Sequence, residues 1–302
     1  CGIGKYNGFV IFVPFSAVND KLKVRIVKVN KSHCYGKIEE ITVPSPDRIT
    51  PDCKAFGKCG GCDFRHITYE AELRAKEQFI RDAFTRIGGL SPEFLPIIGN
   101  TIQNGYRNKA QYPVGKNEKG EAVCGFFANH SHRIIPCESC MLEPTVFSEI
   151  KSFILEAAKE YKISAYNEAE HSGVLRHICI RKGHYSGETC VTLVVRRNVP
   201  QLKALAFELR KKFSEISSIT VNINKDKTNV IYGKEEKILF GADSITDKMC
   251  GKIFSVSPLS FYQVNHAQTE VLKDFYAERK LLRLVNGDQA ITKITDEILD
   301  SI

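Results

Sequence analysis

The sequence predicts a multidomain α+β protein in which a small OB-like β-barrel is followed by a cysteine-rich loop and a central α+β domain. Short β-type runs separated by turns fill residues 2–43, whereas apolar residues at helical spacing begin only after residue 68. A chain of 302 residues is also long enough for two or three domains. We expect segment boundaries at 1–44, 45–90, 91–250 and 251–302.

The N-terminal module is predicted from three short β-type runs, at 8–13, 21–29 and 35–41. Their number and length fit an OB-like barrel, a fold that often binds single-stranded nucleic acid. Pro44 and Pro46 end the module, because proline cannot donate to a strand ladder. The cysteine-rich loop follows directly.

The rest of the chain alternates between helical and β-type patterns. Thr68 is suited to cap a helix that runs to Ile87, since a hydroxyl can accept from the first helical N–H groups. The clearest amphipathic helix spans 146–161. Strands are expected at 106–114, 123–128, 175–181, 189–196 and 219–224, and one more helix at 202–213.

Charge and composition limit the classes of function. A formal net charge of +8 suits a polyanionic partner, and Lys21, Lys23 and Arg25 alternate with aliphatic residues so that they share one strand face. No run approaches the ~20 apolar residues needed to cross a bilayer, so no membrane contact is expected. Eleven cysteines without a secretory signal indicate the reducing cytoplasm.

The cysteines are the most informative residues for chemistry. Cys53, Cys59 and Cys62 lie in one short glycine-rich loop, and Cys137 and Cys140 follow much later. Three clustered thiolates with a distant fourth are a common ligand set for an iron–sulfur cluster. The two Cys-x₂-Cys pairs also describe a zinc site with four cysteines. Spacing favours the cluster, but it leaves zinc, and the choice of the fourth ligand, open.

Several motifs, in order along residues 2–270, resemble one family: the RNA uracil-5-methyltransferases that use S-adenosylmethionine and carry a 4Fe–4S cluster. They are the β-runs of residues 2–26, the cysteine loop up to His66, Tyr106-Arg107-Asn108-Lys109, residues 125–140, Leu175-Arg176-His177 and Phe261-Tyr262-Gln263-Val264-Asn265.

The resemblance implies that the barrel is an RNA-binding TRAM domain. It also implies four cluster ligands, Cys53, Cys59, Cys62 and Cys140. Cys140 is favoured over Cys137 because the family's ligand is followed by a hydrophobic residue and, a few positions on, by a proline. Gln263 is expected to contact the methyl donor S-adenosylmethionine. The expected RNA contacts are Lys21, Lys23, Arg25, Arg107 and Lys109.

The sequence departs from the family after Asn265. The remaining residues are too few for the core of a Rossmann-like methyltransferase domain, which needs well over ~100 residues. No cysteine follows Cys250, so the family's nucleophile has no counterpart and we assign no catalytic residue. We therefore expect the C-terminal methyltransferase domain to be essentially missing, with a separately encoded catalytic domain as one candidate partner.

The resulting expectation is an RNA uracil-C5 methyltransferase of the cytoplasm, represented by its RNA-binding and iron–sulfur part. The TRAM-like module favours ribosomal RNA over transfer RNA as the substrate. This chain is expected to be inactive alone and to bind S-adenosylmethionine weakly or not at all. The alternative is a non-catalytic RNA-binding protein that contains an iron–sulfur cluster or zinc.

Overall fold

The computed structural model describes residues 1–283, 285 and 289–300. Within the predicted segment 251–302, residues 284, 286–288 and 301–302 lie outside the described residues. Among the helices of the described residues, none is long and apolar enough to span a bilayer.

The N-terminal module is a four-stranded sheet of β1 (Gly2–Tyr6), β2 (Phe9–Val13), β3 (Lys21–Val29) and β4 (His33–Val43). The strand order is β1-β2-β4-β3, with β2 and β4 parallel and the other pairs antiparallel. The predicted strands are confirmed, and β1 was not predicted. Within the described residues β1 and β3 are the edge strands of this sheet.

A buried ion pair joins this sheet to the cysteine loop. The Arg48 guanidinium donates to both carboxylate oxygens of Asp20, at 2.8 and 2.7 Å, and also to the carbonyl oxygen of Phe15. The Phe15 ring in turn packs edge-on against Phe56, with ring centroids 5.2 Å apart. The two modules therefore share polar and aromatic contacts.

The predicted helix after Thr68 is present, but its last turn is π-helical and not α-helical. It runs as α1 (Tyr69–Asp82) and continues as a π-helical turn, Ala83–Ile87. As predicted, the Thr68 side chain caps the start, accepting from the N–H of Ala71 at 3.3 Å. Gly88 donates to the carbonyl of Ala83, a five-residue closure typical of π geometry.

The central domain is built on a seven-stranded sheet with the order β11-β10-β9-β8-β5-β6-β7. Its strands are β5 (Lys109–Lys116), β6 (Ala122–Phe127), β7 (Ile134–Pro136), β8 (Leu175–Lys182), β9 (Thr189–Val195), β10 (Ile216–Ile223) and β11 (Glu235–Gly241). The β9–β10 pair is parallel and is connected by a helix, as parallel neighbours require; the other pairs are antiparallel.

Two helices, α2 (Thr145–Glu160) and α3 (Gln201–Lys212), cover one face of this sheet. The largest fully buried residues of this core include Phe147, Ile150, Ile154, Leu202, Leu205, Leu209, Ile178 and Leu193. The opposite face is polar yet buried: the hydroxyls of Thr192 and Thr220 are hydrogen-bonded at 2.9 Å. Alternation along the strands thus gives the sheet an apolar face and a hydroxyl-bearing face.

The C-terminal part begins with a hairpin of β12 (Ile245–Met249) and β13 (Lys252–Val256). Cys250 and Gly251 form its turn, both with positive φ, at 51° and 78°. Two helices follow, α4 (His266–Glu278) and α5 (Ile291–Asp300). The sequence patterns predicted neither this hairpin nor these helices.

Candidate functional site

The cysteine loop is held by tight main-chain turns. The N–H of Phe56 donates to the carbonyl of Cys53 at 3.1 Å, and the N–H of Cys59 donates to that of Ala55 at 2.9 Å. Gly57 adopts a φ of +78°, a conformation that residues with a side chain rarely take. The loop therefore brings Cys53 and Cys59 back towards each other.

The loop docks on the turn that follows β6. Gly60 donates its N–H to the carbonyl of Phe127 at 3.0 Å, and Cys59 pairs with Ala128 in an isolated β-bridge. A Cβ atom on Gly60 would lie 3.1 Å from the main chain of Asn129. Glycine is therefore needed there for the loop to approach the central domain closely.

The second pair of cysteines lies between β7 and α2. Cys137 is buried, and its thiol donates to the carbonyl of Ser139 at 3.1 Å. The ammonium group of the buried Lys151 donates to the carbonyls of Cys137 and Glu138. Cys140 is half-buried. Unlike the thiol of Cys137, its thiol donates no hydrogen bond to a main-chain carbonyl within the described residues.

The thiols influence one another's pKa values. Burial raises the pKa of Cys59 and Cys62, and the charge of Cys53 raises both further. Burial together with Glu143 raises the pKa of Cys140 to about 12, with Cys62 as a smaller cause and the main chain of Leu142 opposing the rise. The predicted ligands from both segments are therefore electrostatic neighbours.

These neighbours do not converge on one point. Over the ranges 1–283, 285 and 289–300, no group of three or more His, Cys, Asp and Glu side chains is arranged to hold a metal ion. The structure thus brings the four predicted ligands into one region without forming a site for a single ion.

A buried polar group next to Cys140 was not predicted. The Tyr112 hydroxyl donates to Oε2 of Glu143 at 2.5 Å, and the ammonium nitrogen of Lys151 lies 5.0 Å from the centre of the Tyr112 ring. Burial raises the pKa of Glu143, while Tyr112, Lys151 and Arg107 oppose that rise. One sequence signal was available: Lys151 interrupts the apolar face of α2, four residues after Phe147.

Two predicted motifs meet beside the cysteine loop. The N–H of Asn108 donates to the carbonyl of Val264 at 3.1 Å, and its side-chain amide donates to the carbonyl of Gln263 at 2.8 Å. Arg107 forms a β-bridge with Asn265. The Gln263 side chain is exposed and makes no hydrogen bond to any described residue.

A cleft of about 630 Å³ connects these motifs with the loop. Its lining includes Cys62, Tyr106, Arg107 and Asn265. The Nε atom of Arg107 is buried and has no hydrogen-bond partner among the described residues. A cationic group with a free donor therefore lies in the same cleft as one of the predicted cluster ligands.

Lys109 lies near a buried arginine that was not predicted as a site residue. Arg181 donates to the carbonyl of Ser260 at 2.6 Å, while its Nε and Nη1 atoms have no partner within the described part of the chain. Burial lowers the pKa of Lys109, and the positive charge of Arg181 lowers it further. Arg181 thus positions the segment that leads to Gln263.

The other predicted RNA contacts lie on the N-terminal sheet. Lys21, Lys23 and Arg25 are all exposed on the edge strand β3, on one face as predicted. Arg25 approaches Glu39 at 3.5 Å, whereas Lys21 and Lys23 have no acidic partner in the described ranges. These three cations lie on a different module from Arg107 and Lys109.

The sequence is similar to proteins described as RNA methyltransferases. It is 40% identical over 291 residues to an uncharacterized RNA methyltransferase of Clostridium tetani, covering 96% of this chain and 62% of that protein. It is 38% identical over 275 residues to one of Halalkalibacterium halodurans, covering 90% of this chain and 60% of the relative. No family model matches the sequence.

A solved structure is similar as well. The crystal structure of Pyrococcus abyssi tRNA (uracil-54, C5)-methyltransferase in complex with S-adenosyl-L-homocysteine matches with a TM-score of 0.68 and 26% identity. The match covers 95% of this chain and 65% of the solved chain. The chain thus spans less than two thirds of the length of each of these proteins.

The expectation that the C-terminal methyltransferase domain is essentially missing is wrong. The matches cover 95% and 96% of this chain, so the hairpin and α4 lie within the aligned part of a mixed α/β fold. The expectation relied on the small number of residues after Asn265 and on short motifs absent there, and similarity of strands and helices does not depend on those motifs. A separately encoded catalytic domain was expected from the same premise. Over 90–96% of its length, the chain therefore shares 38–40% sequence identity with proteins described as RNA methyltransferases.

Proposed function

We propose that this protein takes part in methylating C5 of a uracil in RNA, with S-adenosylmethionine as the methyl donor. The observation that carries the proposal is the junction of residues 106–109 with residues 261–265 beside the cysteine loop. The junction combines a cationic cleft with an exposed, unpaired glutamine. The uracil-C5 chemistry is supported by the similarity to the solved tRNA (uracil-54, C5)-methyltransferase.

In this proposal Gln263 contacts the methyl donor. Its backbone is fixed by Asn108, so the side-chain amide is presented from a supported position. An amide offers both donors and an acceptor, which suits the polar groups of a donor such as S-adenosylmethionine. No residue is assigned as the nucleophile, because no cysteine follows Cys250.

We further propose that Cys53, Cys59, Cys62 and Cys140 hold a 4Fe–4S cluster. Three thiols in one short loop with a distant fourth form a ligand pattern typical of iron–sulfur clusters. When bound, the cluster would link the loop to the segment after β7 and so stabilise the fold.

RNA would be held from two sides. Lys21, Lys23 and Arg25 offer a phosphate-binding edge on the N-terminal sheet, consistent with a TRAM domain. Arg107 and Lys109 offer cations near the proposed reaction site. Because phosphate contacts release counterions, binding should weaken steeply as salt is raised.

The RNA class and the activity of this chain alone are part of the same proposal. The TRAM-like module favours ribosomal RNA, whereas the similar solved enzyme is a transfer-RNA methyltransferase. We keep ribosomal RNA as the proposed substrate and expect no turnover by this chain alone. All eleven cysteines are unpaired, which fits the proposed cytoplasmic location.

The test is a methyl-transfer assay with radiolabelled S-adenosylmethionine on ribosomal and transfer RNA transcripts, run beside RNA binding by fluorescence anisotropy. The proposal expects binding without methylation by this chain. Methylation of transfer RNA but not of ribosomal RNA would show that transfer RNA is the substrate. Absence of binding to either RNA at low salt would overturn the proposed function.

A further inference from the structure

A second, larger cleft opens where β5 changes its partner. Residues Lys109–Pro113 pair with β8, whereas residues 114–116 pair with β6. Pro113 has no N–H to donate, so it suits the point where one ladder ends and the other begins. The diverging strands leave a cleft of about 1180 Å³, and no predicted metal, donor or RNA residue lines it.

His177 supplies a neutral hydrogen-bonding group in this cleft. It lies on β8 opposite Pro113, and its Nδ1 atom is buried without a partner among the described residues. Burial, with a smaller effect of Arg176, lowers its pKa to about 4. Burial therefore favours the uncharged form of the ring beside the cleft.

Arg176 holds one wall of the cleft in place. Its guanidinium stacks 4.5 Å above the Tyr166 ring and donates to the carbonyls of Asn224, Asp226 and Thr228. These contacts use both terminal nitrogens of the guanidinium. Arg176 is therefore a structural support here, although its buried Nε atom has no partner among the described residues.

An aromatic pair lines the cleft on the other side. The rings of Phe127 and His132 stack with centroids 5.2 Å apart and planes at 22°. Both residues are exposed, and Nδ1 of His132 lies 2.8 Å from a carboxylate oxygen of Glu168, which fixes the imidazole ring. An exposed pair of flat rings is the type of surface on which unpaired bases stack.

The rim of the cleft is basic. Lys116, Lys119 and Arg133 are exposed and have no ion-pair partner among the residues that the structure describes. Of the two glutamates on the lining, Glu168 is hydrogen-bonded to His132, and Glu118 has no ion-pair partner in the described part of the chain. The free cations therefore outnumber the free carboxylates, which favours a ligand with phosphate groups.

We propose that this cleft binds one unpaired nucleotide of the substrate RNA, with the base stacked on the open face of the Phe127–His132 pair and the phosphates facing the rim cations. The proposal rests on the proposed function, since it assumes an RNA substrate. A base in a duplex cannot reach such a surface, so the cleft selects single-stranded segments. The main-chain carbonyl of Phe127, at the end of β6, also accepts from Gly60, so the proposed base-binding surface adjoins the cysteine loop.

The first test compares Phe127→Leu with Phe207→Leu. Phe207 is a matched control: it is exposed, and it lies on α3, which covers the opposite face of the sheet. Binding of a fluorescein-labelled oligouridylate is measured by anisotropy, with thermal melting as the check on folding. Because one stacking contact with a base is lost, Phe127→Leu should bind the oligouridylate about 5- to 150-fold more weakly than the unmodified protein. Phe207→Leu should bind it with unchanged affinity.

A second pair of variants tests the rim. The double variant Lys116→Ala with Lys119→Ala should reduce the slope of log affinity against log salt by about 1.4, as expected for two lost single-strand phosphate contacts. Its control, Lys203→Ala with Lys211→Ala on α3, removes the same charge from exposed positions away from the cleft. The control should keep the slope of the unmodified protein.

The outcomes separate the cleft from the proposed function. Crosslinking of a 4-thiouridine oligonucleotide to residues 114–133, lost in Phe127→Leu, would support the proposal. Equal oligouridylate binding by Phe127→Leu and Phe207→Leu would overturn the cleft proposal while leaving RNA binding intact. Uridine monophosphate binding that requires Phe127, without any effect on RNA binding, would show a free-nucleotide site instead. If the unmodified protein binds no RNA, the proposed function fails as well.

Discussion

The side-chain amide of Asn108 donates to the main-chain carbonyl of Gln263 at 2.8 Å, across 155 positions of sequence. The main-chain N–H of Asn108 donates to the carbonyl of the following residue, Val264. One residue at the start of β5 thereby fixes the segment before α4. The position of Gln263 depends on the central sheet through this contact.

Replacing Asn108 by alanine should loosen that segment. Loss of the buried amide should lower the free energy of unfolding by about 1 kcal/mol, measured by urea denaturation. Hydrogen exchange should become faster in residues 261–265. Asn198→Ala is the control, because Asn198 is exposed and has no hydrogen bond within the described residues. Unchanged exchange in Asn108→Ala would contradict the role given to this amide.

The proposed cluster predicts different effects for neighbouring cysteines. Cys140→Ser should lose most of the iron and sulfide bound after anaerobic reconstitution, whereas Cys137→Ser should retain both, because Cys137 already donates to Ser139. Cys250→Ser in the hairpin turn is the control. One zinc per chain and no sulfide in the unmodified protein would reject the cluster in favour of a zinc site.

Gly60 and Gly61 form a matched pair for testing how the cysteine loop docks. A Cβ on Gly60 would come within 3.1–3.2 Å of the main chain of Asn129 and Phe127, whereas one on Gly61 would meet only the Cys59 sulfur, at 3.5 Å. Gly60→Ala should therefore cost about 1–3 kcal/mol of unfolding free energy, and Gly61→Ala much less. Equal melting temperatures for the two variants would show that the loop is not held as described.

The Asp20–Arg48 pair predicts an acid-dependent loss of stability. Burial alone would raise the pKa of Asp20, but Arg48 and the N–H groups of Ala17 and Ser45 outweigh it and lower the pKa. A lowered folded-state pKa contributes stability above the ordinary carboxyl range, near ~3.9, and this stability is lost as pH falls through the folded value.

Asp20→Asn should therefore cost about 3–5 kcal/mol at neutral pH, since it leaves the Arg48 charge poorly compensated. The difference from the unmodified protein should shrink below about pH 4. Glu39→Gln removes the partner of an exposed ion pair on the same sheet and should cost at most about 1 kcal/mol. A constant cost of Asp20→Asn from neutral to acid pH would disprove this origin of the stability.

Helical periodicity predicted the helices of the central domain closely. The expected helix at 146–161 corresponds to α2, Thr145–Glu160. It was predictable because the apolar residues that repeat at helical spacing are the ones that the core buries. The β12–β13 hairpin was missed since its turn is Cys250-Gly251, not one of the usual asparagine–glycine pairs. Short exposed strands such as β11 carry little apolar signal of their own.

The candidate site could be predicted only where motifs were local. The cysteine loop is readable because three thiols lie within a few residues of each other. The Tyr112–Glu143 hydrogen bond joins a strand to a loop 31 residues away, and no local pattern marks such a pair. The cleft at Pro113 depends on which strand each half of β5 selects, a property of the whole sheet.

The docking of the cysteine loop on the turn after β6 has a consequence for biosynthesis. The loop emerges from the ribosome before residues 127 and 128, which hold it, and before Cys140. The central sheet that carries this turn is incomplete until β8, which ends at Lys182, pairs with β5. Until then, the three thiols lie on a loop that the central domain does not support. Loading of the proposed cluster is therefore expected to be a late event, and a nascent chain that stalls early would expose these thiols to oxidation.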